Sequence, residues 1–228
     1  MSTAVSTRQF WVDAWSANVG VKFIAAEVHG LKVSKKSRVL EEAKKQTLAT
    51  VSAIDIACHP VLQGYRDLFS AIHVEAISSP EWLLRVIASH GHLPMINTVV
   101  DAYNDVSART CTVVSAHDLK YVEGDVRIEQ TKGTEVFFPL GSKEPETLPA
   151  DEWAGKADNH ILCRLNCKQS DLSKVTLQTT DVLVYVQGNR VTDRAYLENA
   201  LVEVCESIVH FNGGHYWLLT ERTDHLPH

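Results

Sequence analysis

The sequence predicts an α+β fold, a single domain over residues 1–228 in which mixed β-sheets are flanked by helices. Three observations predict it. Helix-period apolar spacing runs through residues 37–108 and returns after Thr192, short β-rich runs occupy the stretch from Gly124 to Gly188, and turn residues gather between those runs. At 228 residues and 45% hydrophobic content, the chain has the size of one globular domain and is too apolar for disorder to be its main state.

The elements follow in order. Val21 to Leu31 (VKFIAAEVHGL) reads as a largely buried strand that ends at Gly30. Ser37 to Ile56 reads as an amphipathic helix offering Val39, Leu40, Ala43, Leu48 and Val51 for packing, and Val61 to Ile72 as a second helix. Ser79-Pro80-Glu81 is a helix start, a serine cap with proline at the first helical position, and it places Trp82, Leu83, Val86 and Ile87 on the apolar side before Gly91 and Pro94 end the run. Asn97 caps the next helix, NTVVDAYNDVSART, with Val99, Tyr103 and Val106 on one face. Asn97, Asp101, Asn104 and Ala108 line another face, which taken alone reads as a solvent-facing polar stripe.

Beyond Gly124 the strands are Val126 to Gln130, Thr134 to Phe138, His160 to Leu165 and Val182 to Gln187. Pro139, Gly141, Pro145 and Pro149 make LGSKEPETLPADEW a stretch of turns. A final helix from Thr192 to about Phe211 presents Ala195, Leu197, Ala200, Leu201, Val204, Ile208 and Val209 to a core and stops at Gly213-Gly214.

Composition excludes several classes of function. With 28 acidic against 22 basic residues, a net charge of −6, the chain is not built to coat nucleic acid nonspecifically. One local basic face is available where Lys32, Lys35, Lys36, Arg38, Lys44 and Lys45 outnumber Glu41 and Glu42; the plainer alternative is a solvated helix end. No apolar run approaches the roughly 18 residues that span a bilayer, and the N-terminal residues lack the pattern of a signal peptide, so a soluble, cytoplasmic protein without membrane contact is expected. The five cysteines are an odd number without a secretory pattern, which points to reduced thiols. Cys163 with Cys167, and His90 with His92, are each half of a metal site with no second half in sight, so no metal is expected.

Nucleophile-elbow, S-x-x-K, P-loop and dinucleotide motifs are all missing, which removes support for covalent hydrolysis and for nucleotide cofactors. What remains is a polar set: Asn97, Asp101, Asn104 and Ser107 on one helix, and His117-Asp118 and Glu123-Gly124-Asp125 in the loop that follows. Glu135, Arg164, Asn166, Lys168, Asp171, Lys174 and Thr176 come later.

The segment INTVVDAYNDVSARTCTVVSAHDLKYVEGDVRI, followed by GTEVFFPLG and LCRLNCKQSDLSKVTLQTTDVLVYVQG, resembles the editing module of the phenylalanyl-tRNA synthetase β subunit, and more closely the free-standing proteins built on that module, the B-three/four domain proteins. The likeness is best over residues 94–188. It is looser over the strand and helices of 1–93 and the helix at 192–211. It rests on the Asn97/Val100-Asp101/Asn104/Ser107 helix, the Asp118 to Glu123-Gly124-Asp125 turn and Phe137-x-Pro139-Leu140-Gly141.

The resemblance implies a trans-acting deacylase that hydrolyses the ester of a mischarged tRNA, without metal or cofactor. Its partner is the acceptor end of that tRNA rather than DNA, and the oligomeric state is left open. An aminoacyl ester is already activated, so donors that hold a water about 3 Å from the carbonyl suffice without a covalent nucleophile. Asn104 and Ser107 are candidates for holding the ester or ribose end, and Asp101 or Glu135 for orienting water or the α-amine. Tyr103, Ser115, His117, Glu123, Asp125 and Asn166 are further candidates for contact with the substrate, and Lys35, Lys36, Arg164, Lys168 and Lys174 for contact with the tRNA. One branch of the free-standing relatives clears canavanine, an arginine mimic, from the arginine tRNA; Glu123 and Asp125 would pair with such a cationic side chain.

The departures from the family pattern are specific. Ser115 stands where the synthetases carry a histidine, His117 takes an aromatic position, and Tyr185 falls where the bacterial synthetases carry a glutamate. Two alternatives stay open: a non-catalytic module of the same fold that binds tRNA or protein, and a hydrolase of a free amino-acid derivative.

Overall fold

The computed structural model describes residues 6–165 and 168–222. In chain order the N-terminal half runs β1 (Gln9–Val12), α1 (Ala14–Val19), β2 (Lys22–His29), α2 (Arg38–Val51), α3 (Pro60–Ala71), α4 (Ser79–His90) and α5 (Thr98–Thr110). It continues with β3 (Val113–Asp118), β4 (Val126–Lys132), β5 (Val136–Phe137), β6 (Glu146–Thr147), β7 (Ala150–Lys156), β8 (Ile161–Arg164) and β9 (Lys168–Gln169). β10 (Val182–Gly188), α6 (Arg194–Asn212), β11 (His215–Leu218) and β12 (Thr220–Glu221) complete it.

The most apolar strands lie deepest. β10 (VLVYVQG) and β3 (VVSAHD) are buried at every residue, as strands covered on both faces must be. They form a four-stranded antiparallel sheet in the order β11-β2-β10-β3. Helices α5 and α6 pack against this sheet and each other. On the opposite side, among the described residues, lies a mixed sheet in the order β12-β1-β4-β7-β8-β9, parallel at β12-β1-β4 and antiparallel beyond. Phe10 of β1 meets Phe23 of β2 edge-on at 5.6 Å, and Phe23 in turn contacts Tyr185 at 4.8 Å, so the two sheets share one core. Gly155 of β7 is required at this junction: a Cβ there would lie 2.7 Å from Cys163 Sγ and 3.4 Å from the Tyr185 hydroxyl.

Helices and sheets therefore combine as predicted, and the differences have physical reasons. The α2 helix begins at the expected cap, with the Ser37 hydroxyl accepting from Leu40 N–H, but its buried face is Leu40, Lys44, Thr47 and Val51; Val39 is exposed. Lys44 enters the interior because Asp101 (3.6 Å) and the Pro94 carbonyl (2.9 Å) receive its ammonium. On α4, Leu83, Leu84 and Ile87 are buried while Trp82 is 51% exposed. The polar stripe of α5 does not face solvent: the helix sits between α2, α4, α6 and β3, and of the stripe Asn97, Asp101 and Ala108 are buried and Asn104 is half-buried. His117 and Asp118 lie on β3, not in a loop, and β7 occupies part of the stretch read as turns. The chain reaches β3 through Cys111, a left-handed residue at φ 52° that closes α5.

Candidate functional site

A cavity of about 390 Å³ opens between the start of α4, the inner face of α5, β3 and the turn that carries Pro139 and Leu140. That volume lies in the range of small-ligand sites, about 300–1,000 Å³. Each wall has a local cause. The α4 helix starts one residue earlier than the expected Ser79 cap, with Ser78 at the cap position making no side-chain hydrogen bond; Pro80 and the Trp82 N–H donating to the Ser78 carbonyl (2.9 Å) fix the first turn, and Trp82 and Leu83 of that turn line the cavity. Gly141, at φ 78°, turns the 139–141 segment, and Asp171 holds it by accepting from Gly141 N–H while Leu140 N–H donates to the Gln169 carbonyl. Leu140 is thereby left exposed across from Trp82.

The polar groups of the lining are neutral except for Lys168 on β9. Gln169 Nε2 donates to Ser115 Oγ at 3.1 Å, and Gln169 also hydrogen-bonds the Tyr103 hydroxyl. Burial pushes the Tyr103 phenol up to about 12, so it remains a neutral donor and acceptor. Asn104, half-buried in the lining, has no hydrogen-bond partner for its amide among the described residues. No carboxylate lines the cavity among the described residues. Such a site can hold a carbonyl, a hydroxyl or a water by directed hydrogen bonds, and it offers a cation at its mouth for an anionic group.

A family model, the B3/4 domain, matches residues 68–213, well over half of the chain. The chain belongs to the B3/4 domain family. The match takes in α3 from Leu68, all of α4 and α5 and the whole of α6, a wider span than residues 94–188. Among solved structures, an N-terminal fragment of the phenylalanyl-tRNA synthetase beta-subunit from Pyrococcus horikoshii superposes with a TM-score of 0.59 at 14% sequence identity. The superposition covers 99% of this chain and 55% of that one, so this chain spans about half of that fragment's length. At such identity the likeness establishes the fold. No curated protein matches the chain.

The B3/4 domain distributes the predicted residues unevenly. Tyr103, Asn104, Ser115 and Lys168 meet in the cavity, and Lys35 lies beside it, donating to the carbonyl of the lining residue Ile96 at 3.1 Å. Lys36 is exposed one residue on. Asp101 does not line the cavity: its carboxylate accepts from Ile96 N–H at 2.8 Å and faces Lys44, and burial raises its pKa against the lowering effect of those partners. Ser107 donates to the Thr112 carbonyl at 2.7 Å, tying the end of α5 to β3.

His117 is fully buried behind the lining, where burial pushes its pKa down to about 3. Glu123 is exposed on a different face, and Asp125 accepts from Gln9 N–H at 2.8 Å. Glu135 holds Lys156 at 2.9 Å together with Lys132 N–H; burial alone would raise its pKa, but these partners bring it down to about 2. Arg164 is clamped by both oxygens of Glu152 and by Glu146, and Lys174 pairs with Asp171. Asn166 falls outside the described residues.

Sequence reasoning missed Trp82, Leu140, Cys163 and Gln169 as lining. Leu140 had a signal, since the Pro139-Leu140-Gly141 element belongs to the family likeness. Trp82 had none, because a tryptophan beside Leu83 on a helix reads as core.

Proposed function

We propose that this B3/4 domain is a trans-acting aminoacyl-tRNA deacylase, which hydrolyses the ester of a mischarged tRNA in the cavity between α4, α5 and β3. The observation that carries the reading is the Asn104 amide, without a hydrogen-bond partner among the described residues, in a lining whose other polar groups are neutral apart from Lys168, on a fold shared with a synthetase subunit fragment. In this reading Asn104 donates to the ester carbonyl, where negative charge develops as water adds. A fixed donor in a partly dry site stabilises that charge without reorganising. Ser115 and Gln169 hold the attacking water at the floor. Lys168, with Lys35 and Lys36 nearby, meets phosphates of the acceptor end.

Asp101 and Ser107 act one step back. Asp101 fixes the Ile96 wall and Ser107 fixes β3 relative to α5. A lining that holds no carboxylate among the described residues suits an amino acid with a neutral side chain. An arginine-like side chain would need a carboxylate partner, and neither Glu123 nor Asp125 reaches the lining.

The test is release of labelled amino acid from a full panel of aminoacyl-tRNAs, canavanyl-tRNA included, by the purified protein. Release is expected from members with neutral side chains. Asn104→Ala should lower the rate about 100-fold, as loss of one such donor does, with the thermal midpoint unchanged. No release from any member would leave the binding-module reading in its place.

A further inference from the structure

The apolar lining of the cavity has a buried part and an open part. Leu83, Val114 and Cys163 are buried, whereas Trp82 is 51% exposed, Ile96 47% and Leu140 53%. Single exposed apolar side chains are ordinary, but three on one cavity form a patch of the kind that receives a ligand. Of the five tryptophans, four are engaged. Trp11 lies against the guanidinium groups of Arg127 and Arg222, Trp15 packs on the core, Trp153 stacks on Phe69 at 5.8 Å and Trp217 contacts His29 at 4.7 Å and His215 at 4.4 Å. The Trp82 ring has no aromatic, cationic or hydrogen-bond partner among the described residues.

The backbone under these side chains is fixed. Trp82 N–H donates to the Ser78 carbonyl in the first turn of α4, and Leu140 N–H donates to the Gln169 carbonyl while Gly141 N–H donates to Asp171. Ordering this patch around a ligand therefore costs little. Beside it Lys168 is exposed, its ammonium has no ion-pair partner among the described residues, and no carboxylate among them lines the cavity to repel an anion. The occupant that fits is a flat ring with two π-faces that carries an anion a short distance away, which is the chemistry of a nucleobase and its phosphate. An amino-acid side chain carries no phosphate, and the buried part of the lining at Leu83, Val114 and Cys163 suits it better.

We propose that Trp82 is the stacking platform for the 3′-terminal base of the tRNA, with Leu140 covering the other face of that base and Lys168 meeting the phosphate on its 5′ side. This assignment rests on the deacylase reading for the identity of the RNA. One ribose carries both the ester and the terminal base, so an ester carbonyl at Asn104 puts the base within one nucleoside of it, in the cavity that Trp82 also lines. Stacking needs only a π-face and is tolerant of sequence. The clamp therefore holds the end that all tRNAs share and leaves the choice of substrate to the buried part of the lining.

Binding of uncharged tRNA, measured by filter retention, tests the clamp without turnover. The wild-type protein should bind tRNA ending in CCA about tenfold more tightly than the same tRNA trimmed of its terminal adenosine, the scale of one stacked base. Trp82→Ala should lose that factor on the intact tRNA and nothing on the trimmed one, and Trp82→Phe should keep most of it. Thermal midpoints of both variants should match the wild type, because the ring is exposed. Equal weakening of both tRNAs in Trp82→Ala, weakening of neither, or no tRNA binding by the wild type overturns the clamp. A change in which amino acid is released, with tRNA affinity intact, overturns it in favour of the amino-acid side chain. A wild-type dimer in sedimentation that Trp82→Ala dissociates overturns it in favour of a second copy. If the terminal base contributes as expected but no aminoacyl-tRNA is hydrolysed, the deacylase reading falls and the clamp stands.

Discussion

Two regions of this B3/4 domain treat polar residues in opposite ways. On and beside the six-stranded sheet, charges satisfy one another: Arg164 of β8 grips Glu152 on neighbouring β7 and Glu146 on β6 outside that sheet, and Lys156 lies between Glu129 and Glu135. Around the cavity the polar groups are neutral apart from Lys168, and the Asn104 amide has no hydrogen-bond partner among the described residues. The difference teaches that charge density is a poor guide to chemistry in this chain. A paired ion is already committed, and withdrawing it leaves its partner buried and uncompensated. An amide or hydroxyl with a free donor or acceptor beside a cavity is the group that a substrate can recruit.

The comparison can be broken most sharply at Arg164. If the arginine serves the sheet, Arg164→Ala should cost about 2 kcal/mol in urea unfolding by stranding the buried Glu152, while deacylation per folded molecule stays at the wild-type level. Normal stability with lost tRNA turnover would reverse the assignment.

The next effect is at Glu135, whose carboxyl is held down to about 2 from an ordinary 4.5. A depressed carboxylate stabilises the fold above the unfolded value, and that contribution is lost as pH falls through the folded one. Glu135→Gln should therefore cost about 1–2 kcal/mol at neutral pH after allowance for solvent screening. The gap from wild type should close between pH 4.5 and 2, and a gap that does not vary with pH would remove the ion pair as its cause.

The smallest effect sharpens the cavity side. Lys168→Ala should reduce the slope of log affinity for tRNA against log salt by about 0.7, one phosphate contact on a single strand, whereas Arg164→Ala should leave the slope unchanged. Equal slopes in both variants would mean that Lys168 touches no phosphate.

Much of the fold was legible without coordinates, because helix and strand periods are local properties of the chain. The Asn97 cap, the Ser37 cap, the stop at Gly213 and the runs that became β4, β8 and β10 follow from spacing and turn chemistry. Of the cavity, Tyr103, Asn104, Ser115 and Lys168 were reachable because the family likeness orders them along the chain. Gln169 and Trp82 were not, since each depends on residues that meet only when separate elements pack.

The sequence by itself determined where α2 to α6 and the strands β2, β4, β8 and β10 run, and that they form one α+β unit, since those follow from periodicity and capping within a dozen residues. Only the tertiary structure decided what each polar side chain is for. Asp101 turned to Lys44 and Ile96, Arg164 to Glu152 and Glu146, while Asn104 was left open to the cavity. Hydrogen-bond and ion-pair partners are distant in sequence, and a group's chemistry is set by whichever partners packing brings within about 3 Å of it.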